Sequence, residues 1–213
     1  MIPTLGHSPF TLQILMRILG AAEEVGEVLL INNSGRGIEI PRHAKFREVV
    51  LPSNIFVNPA WNLGAGLASA GCEWLVFLND DILIPENSFE RLAAAPLSGY
   101  SLIGTRAESI GPLTRHDDYF QDAVEISGCG SGRNWGFGVC MMVRKADFVP
   151  IPDELKIWCG DDFLIDEMGR TGKRVGVMDL QIRTHMSVTA DRAEFRGICE
   201  NDMAAYRRIR GAA

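Results

Sequence analysis

Two strand-length runs of this chain, residues 27–33 (E-V-L-L-I-N-N) and 73–79 (E-W-L-V-F-L-N), are apolar without alternation and end abruptly in polar side chains. A strand with one wet face alternates apolar and polar residues, so an unbroken apolar run predicts burial on both faces. Helical patterns separate these runs. Ser8-Pro9 predicts a helix start, with Leu12, Leu15, Met16 and Leu19 at helical spacing after it. Residues 58–71 read as a helix of small residues, and residues 85–95 as a helix with Phe89, Leu92 and Ala93 on one face. Residues 1–4 and 47–51 add short strands. Doubly buried strands alternating with helices predict a doubly wound, parallel α/β unit. Ligands of such sheets sit outside the carboxyl ends of the strands, here marked by Asn32-Asn33-Ser34 and Asn79-Asp80-Asp81.

The second half is less regular. Residues 128–138 (G-C-G-S-G-R-N-W-G-F-G) are glycine-rich and read as a mobile loop. Residues 139–144 and 174–178 predict strands, and residues 161–171 a helix. The tail, residues 191–210, places Phe195, Ile198, Cys199, Met203 and Tyr206 on one face, which predicts an amphipathic helix docked on the body. No internal repeat or linker interrupts the 213 residues, a length that fits one domain.

The formal net charge of -6 makes a nucleic-acid backbone a poor partner, because phosphate binding relies on Lys and Arg. An acidic protein can still hold a diphosphate by placing a divalent cation between its carboxylates and the phosphates. The five cysteines are odd in number, widely spaced and without a C-x-x-C pair, which predicts a reducing, cytoplasmic setting. Cys72, Cys140 and Cys199 lie among apolar neighbours and read as packing residues. Residues 10–22 are apolar enough to suggest a signal peptide, but no basic residue precedes them and Gln13 and Arg17 interrupt them. No run of about 18 apolar residues occurs, so no transmembrane segment is expected.

Leu78-Asn79-Asp80-Asp81 is the most suggestive local feature. Adjacent carboxylates at the end of a buried strand repel each other, and Mg²⁺ or Mn²⁺ would relieve that. A turn capping the following helix explains the same residues. Gly160-Asp161-Asp162 carries a second acidic pair at a helix start, where Asp serves as a cap or, facing a hydroxyl, as a general base. His185 follows an apolar strand, in T-H-M-S-V-T, and reads as a structural residue or a metal ligand; His7, His43 and His116 carry no such signal. Gly64-Ala65-Gly66 half-matches a dinucleotide fingerprint but lies inside a helix, and no phosphate-binding P-loop occurs.

Taken in chain order, these elements resemble a family 2 glycosyltransferase of the GT-A fold. Ile2-Pro3-Thr4 is similar to the I-P-T end of the first strand, and Ile31-Asn32-Asn33-Ser34-Gly35 to the segment receiving base and ribose. Trp61-Asn62-Leu63-Gly64 with Ala68 and Ala70-Gly71 resembles the N-x-G…A-x-G helix. Phe77-Leu78-Asn79-Asp80-Asp81 occupies the D-x-D position, Gly160-Asp161-Asp162 the G-E-D position, and Pro152-Asp153-Glu154 the F-D-E turn. Residues 138–144 resemble the strand before the acceptor site. Asn79 replaces the first aspartate of D-x-D, Asn33 stands where an aspartate often contacts the nucleotide, and few apolar residues precede I-P-T.

The resemblance implies a single GT-A-type (Rossmann-like) α/β domain, with a mostly parallel central sheet and helices on both faces. Residues 1–96 would bind the nucleotide sugar, 97–190 the acceptor, and 191–213 would form the C-terminal helix. It implies metal-dependent, inverting transfer of a sugar from a UDP-, GDP- or dTDP-sugar to a saccharide, lipid-linked or protein hydroxyl. Asp162 would be the base and Asp161 would lie near the acceptor. Pro3, Thr4, Asn33, Asn62, Asn79 and Asp80 would contact the donor, and Asp81 and His185 would hold Mn²⁺ or Mg²⁺. The rivals are a sugar nucleotidyltransferase, whose glycine-rich basic loop His7-Ser8-Pro9 does not supply, and a degenerate protein that only binds sugar nucleotides.

Overall fold

A computed structural model describes residues 1–113, 120–129, 135–185 and 195–211. His116, the centre of the glycine-rich stretch and the first residues of the expected tail helix lie outside these. The first half follows the sequence pattern. Strand β1 (Ile2–Thr4) leads through helix α1 (Pro9–Ala21) to β2 (Val28–Asn32), then β3 (Phe46–Val50), helix α2 (Val57–Leu67) and β4 (Trp74–Leu78). Strands β1, β2 and β3 form a parallel sheet with β2 central and every β2 residue buried. The Met1 nitrogen donates to the Val76 carbonyl at 2.6 Å and the Leu78 amide donates to the Met1 carbonyl at 3.0 Å, which is the parallel pattern. These bonds join β1 to β4. Helix α1 starts at Pro9, and the Ser8 carbonyl, not its hydroxyl, receives the first helical bond.

The second half departs from expectation. After β5 (Ile82–Leu83), helix α3 (Ser88–Ala94), β6 (Leu102–Thr105), β7 (Ile110–Pro112) and β8 (Ile126–Gly128) come β9 (Cys140–Arg144), helix α4 (Gly160–Arg170), β10 (Val175–Met178), β11 (Ile182–Thr184) and helix α5 (Arg196–Ile209). The larger sheet has the order β4-β9-β6-β10-β8. Only β6–β10 is parallel in it; β9 runs antiparallel to both β4 and β6, and β8 antiparallel to β10. The central sheet is therefore mixed rather than mostly parallel. The residues of β9 are buried up to Val143, and a doubly buried apolar run has the same composition whichever way it points. Burial was legible; direction was not. A second small sheet, β5-β11-β7, consists of strands too short to leave a periodic signal.

Helices cover both faces, as expected. Alternate residues of the central strands divide between two cores. Leu78, Ile103, Met142 and Met178 pack with α1 and α3, while Phe77, Leu102, Met141 and Val177 pack with α2, α4 and α5. Gly104 in β6 leaves room for the Phe137 ring, which is fully buried. A Cβ at Gly104 would overlap that ring. Gly104→Ala is therefore expected to cost about 1–3 kcal/mol by overpacking, several degrees of Tm for a domain of this size. Thermal unfolding that leaves Tm unchanged would mean the ring has somewhere to go.

Candidate functional site

The carboxyl ends of β1, β2 and β4 open together onto one cavity of about 560 Å³, within the range of about 300–1,000 Å³ usual for small-molecule sites. Pro3, Thr4, Asn33, Asn79, Asp80 and Asp81 all line it. Thr4 donates its hydroxyl hydrogen to the Asp80 carboxylate and accepts the Gly6 amide at 2.9 Å. From α1, the buried Thr11 hydroxyl reaches the Asp80 carbonyl at 3.0 Å. The Asn33 side-chain oxygen accepts the Ile55 amide at 3.2 Å, so this residue ties β2 to the stretch leading into α2.

Burial sets the electrostatics here. Desolvation pushes the Asp80 carboxyl up to about 6; the Thr4 hydrogen bond works against this and the neighbouring Asp81 charge adds to it. Desolvation also raises Asp81, which is 9% exposed, while a hydrogen bond to its carboxylate from its own backbone amide and the charge interaction with His185 pull the other way. The proximity of residue 185 to residue 81 follows from strand register. Antiparallel pairing sets Thr184 opposite Ile82 and Arg183 opposite Leu83, so the residue that follows β11 falls beside the residue preceding β5. His185 is exposed and lies outside the cavity lining.

Across the cavity, Asp161 opens α4. Its carboxylate accepts the Gly138 amide at 3.2 Å and the Asp162 amide at 3.0 Å. Two residues before it, Cys159 holds a left-handed backbone (φ 61°, ψ 9°), an uncommon state for a residue with a Cβ. The preceding turn is clamped twice. Asp202 of α5, 1% exposed, accepts the amides of Lys156, Ile157 and Trp158 at 3.0, 2.7 and 2.9 Å. The buried Asn58 amide donates to the carbonyls of Leu155 and Trp158, each at 3.2 Å. Asp162 does not line the cavity. It is close enough to α5 to help raise the Tyr206 phenol pKa, whose main cause is burial, followed by the bond to Asp166.

Asn62 is also elsewhere. Its side chain donates to the Ile151 carbonyl at 2.8 Å and accepts the Ile151 amide at 2.9 Å, which leaves it a structural clamp outside the cavity lining. Sequence reasoning passed over Asn54, Phe56 and Trp158, which line the cavity. Phe56 has φ 70° and ψ −179°, a conformation favouring glycine, so no residue-type signal pointed to it. Phe195, Cys199 and Met203 line the cavity too, from the α5 face expected to dock on the body.

Among the described lining residues there is no Lys or Arg, and His7 is the one residue of basic type. Among the described residues, no group of three or more His, Cys, Asp or Glu side chains is arranged to hold a metal ion. Asp80 and Asp81 line the cavity side by side, and His185 lies near Asp81 from outside the lining.

No family model and no curated protein matches the sequence. Among solved structures, the chain is similar to GalNAc-T7, determined with UDP, GalNAc and Mn²⁺, at a TM-score of 0.63 and 12% identity, over 98% of this chain and 47% of that one. It thus spans less than half the length of that protein. The inositol-1-phosphate CTP transferase from T. maritima overlaps at a TM-score of 0.47 and 12% identity, over 90% of this chain and 82% of that one, too loose a match to carry weight. The likeness is one of fold. The chain shares the α/β fold of the GalNAc-T7 structure. No helix among the described residues is long and apolar enough to cross a membrane.

The raised Asp80 pKa has a consequence for stability. Between the unfolded value near 4 and the folded value of about 6, the native state holds a proton that the unfolded chain has lost. Stability of the metal-free protein therefore falls as pH rises through this window and stays low above it. Asp80→Asn should flatten that slope and raise Tm at pH 7 in the presence of EDTA. Thermal melts from pH 4.5 to 7.5 test this; a variant whose Tm tracks the wild type at every pH removes Asp80 as the cause.

Proposed function

We propose that this protein is a metal-dependent glycosyltransferase of the family 2 type, moving a sugar from a nucleoside-diphosphate donor to an acceptor hydroxyl. The observation that carries the reading is the cavity's charge. Asp80, Asp81 and Asp161 face it, and no Lys or Arg does among the described residues. A diphosphate cannot enter such a site without a cation to offset its charge. Asp81, with Asp80 and His185 beside it, would hold Mn²⁺ or Mg²⁺, which would supply that offset on the leaving diphosphate. The shared fold of GalNAc-T7 supports the same reading.

In this scheme the half formed by residues 1–96 receives the nucleotide, with Pro3, Thr4, Asn33 and Asn79 against base and ribose. Asn62 acts only by holding Ile151. The acceptor hydroxyl oxygen attacks the anomeric carbon, the bond to the diphosphate oxygen breaks with its electron pair, and the configuration inverts. The hydroxyl proton passes to a carboxylate of the acidic pair on α4. The resemblance assigns this role to Asp162, but the cavity favours Asp161, which lines it and is held by the Gly138 amide. We therefore assign the base to Asp161 and a supporting role to Asp162.

Calorimetric titration with UDP, GDP and dTDP should give saturable binding that requires Mn²⁺ or Mg²⁺ for at least one of them. Asp81→Ala should abolish that binding with the circular dichroism spectrum unchanged. If no nucleoside diphosphate binds with either metal, the proposal falls. With the donor identified, Asp161→Asn should cut turnover by about 10²–10⁴ while keeping nucleotide affinity near normal. Asp162→Asn should keep most of the activity; the reverse pattern returns the base to Asp162.

A further inference from the structure

The cavity has two chemically different halves. The donor end carries the polar side chains of Thr4, Asn33, Asn79, Asp80 and Asp81, beside Pro3, Leu5 and Val139. The other end, beyond Asp161, is walled by Ile157, Trp158, Phe195, Cys199 and Met203, with Trp135 at 59% exposure beside Gly136 and Gly138. None of these six side chains carries a hydroxyl, amide, carboxylate or cationic group. The backbone adds little. The amides of Lys156, Ile157 and Trp158 are consumed by Asp202, and the carbonyls of Leu155 and Trp158 accept from Asn58. A saccharide ring entering this end would lose water from its hydroxyls and find few partners among the described residues, a costly exchange. An alkyl or aryl group would cover aromatic and thioether surface and meet no such penalty.

We infer that this end of the cavity is a subsite for a neutral acceptor that carries an alkyl or aromatic portion next to its reactive hydroxyl. The inference rests on the glycosyl-transfer reading only in calling the occupant an acceptor. Continuity fixes the orientation: the wall adjoins Asp161, so the hydroxyl points to that carboxylate and the apolar portion lies along Trp158 and the α5 face. Charge fixes neutrality. The carboxylates of Asp80, Asp81 and Asp161 repel an anionic head, and no Lys or Arg lines the cavity among the described residues to balance one. The clamp from Asp202 keeps the wall preformed, since it locks the turn carrying Ile157 and Trp158 to the helix carrying Phe195, Cys199 and Met203.

The test compares three probes by calorimetry and tryptophan emission on the intact chain: glucose, hexyl β-glucoside and hexyl phosphate. Hexyl β-glucoside should bind at least about tenfold more tightly than glucose, because each buried methylene adds to the affinity. Hexyl phosphate should bind more weakly than hexyl β-glucoside. Trp158→Ala should erase most of the hexyl advantage, and Met203→Ser should reduce it. Equal affinity for glucose and hexyl β-glucoside would make the wall a sugar-stacking platform and overturn the inference. Tighter binding of hexyl phosphate would overturn neutrality. A UDP–Mn²⁺ titration on the same samples separates the two levels. Hexyl β-glucoside binding without nucleotide binding upholds the subsite and sinks the transferase reading. Nucleotide binding without a hexyl preference does the opposite.

Discussion

Two carboxylates set side by side at the end of a buried strand are the constraint around which this molecule is arranged. Strand β4 is apolar, pairs with β9 on one side and meets β1 on the other, and delivers Asp80 and Asp81 into a largely desolvated position. Ionised carboxylates in such a place cost several kcal/mol each unless something offsets the charge. The surrounding elements supply partial answers. Thr4 from β1 donates to Asp80, Thr11 from α1 secures its carbonyl, and His185 offsets Asp81. What they leave unbalanced is the charge that the proposed cation would balance.

The opposite wall has a different logic. Asp202 is buried to the same degree as the apolar core, yet it is fully engaged by three backbone amides from one turn. A carboxylate accepting several amide bonds is a strong, directional tie. It joins the last helix to the turn that ends in the left-handed Cys159 and launches Asp161. The acidic motif on α4 is thereby presented by a rigid frame, and the apolar face of α5 becomes the wall of the cavity rather than a mere cover for the core. One side of the cleft is built to concentrate charge, the other to exclude water.

Much of this was legible in the chain itself. The apolar runs of β2 and β4, the polar residues that end them, the helix start at Ser8-Pro9 and the amphipathic tail all follow from burial and periodicity, which are local properties. The acidic pairs were visible for the same reason: adjacent like charges stand out without any knowledge of their surroundings. Strand direction was not legible, because a strand buried on both faces has no residue preference for parallel or antiparallel neighbours, and β9 came out antiparallel. The two-residue β5 and three-residue β11 were too short to carry a pattern, yet their register alone brings position 185 to position 81.

Which segments are buried, where the strands end and which residues are acidic at those ends each depend on composition over a few neighbouring positions, and so are written in the chain. Tertiary structure alone decided which acidic residue of 161 and 162 faces the cleft. It also decided that Asn62 is spent on Ile151, and that residues from both ends of the chain share one cavity. Those outcomes depend on side-chain direction and on contacts across 89 positions in the case of Asn62 and Ile151. No local pattern encodes such a contact. It exists only once the core has packed.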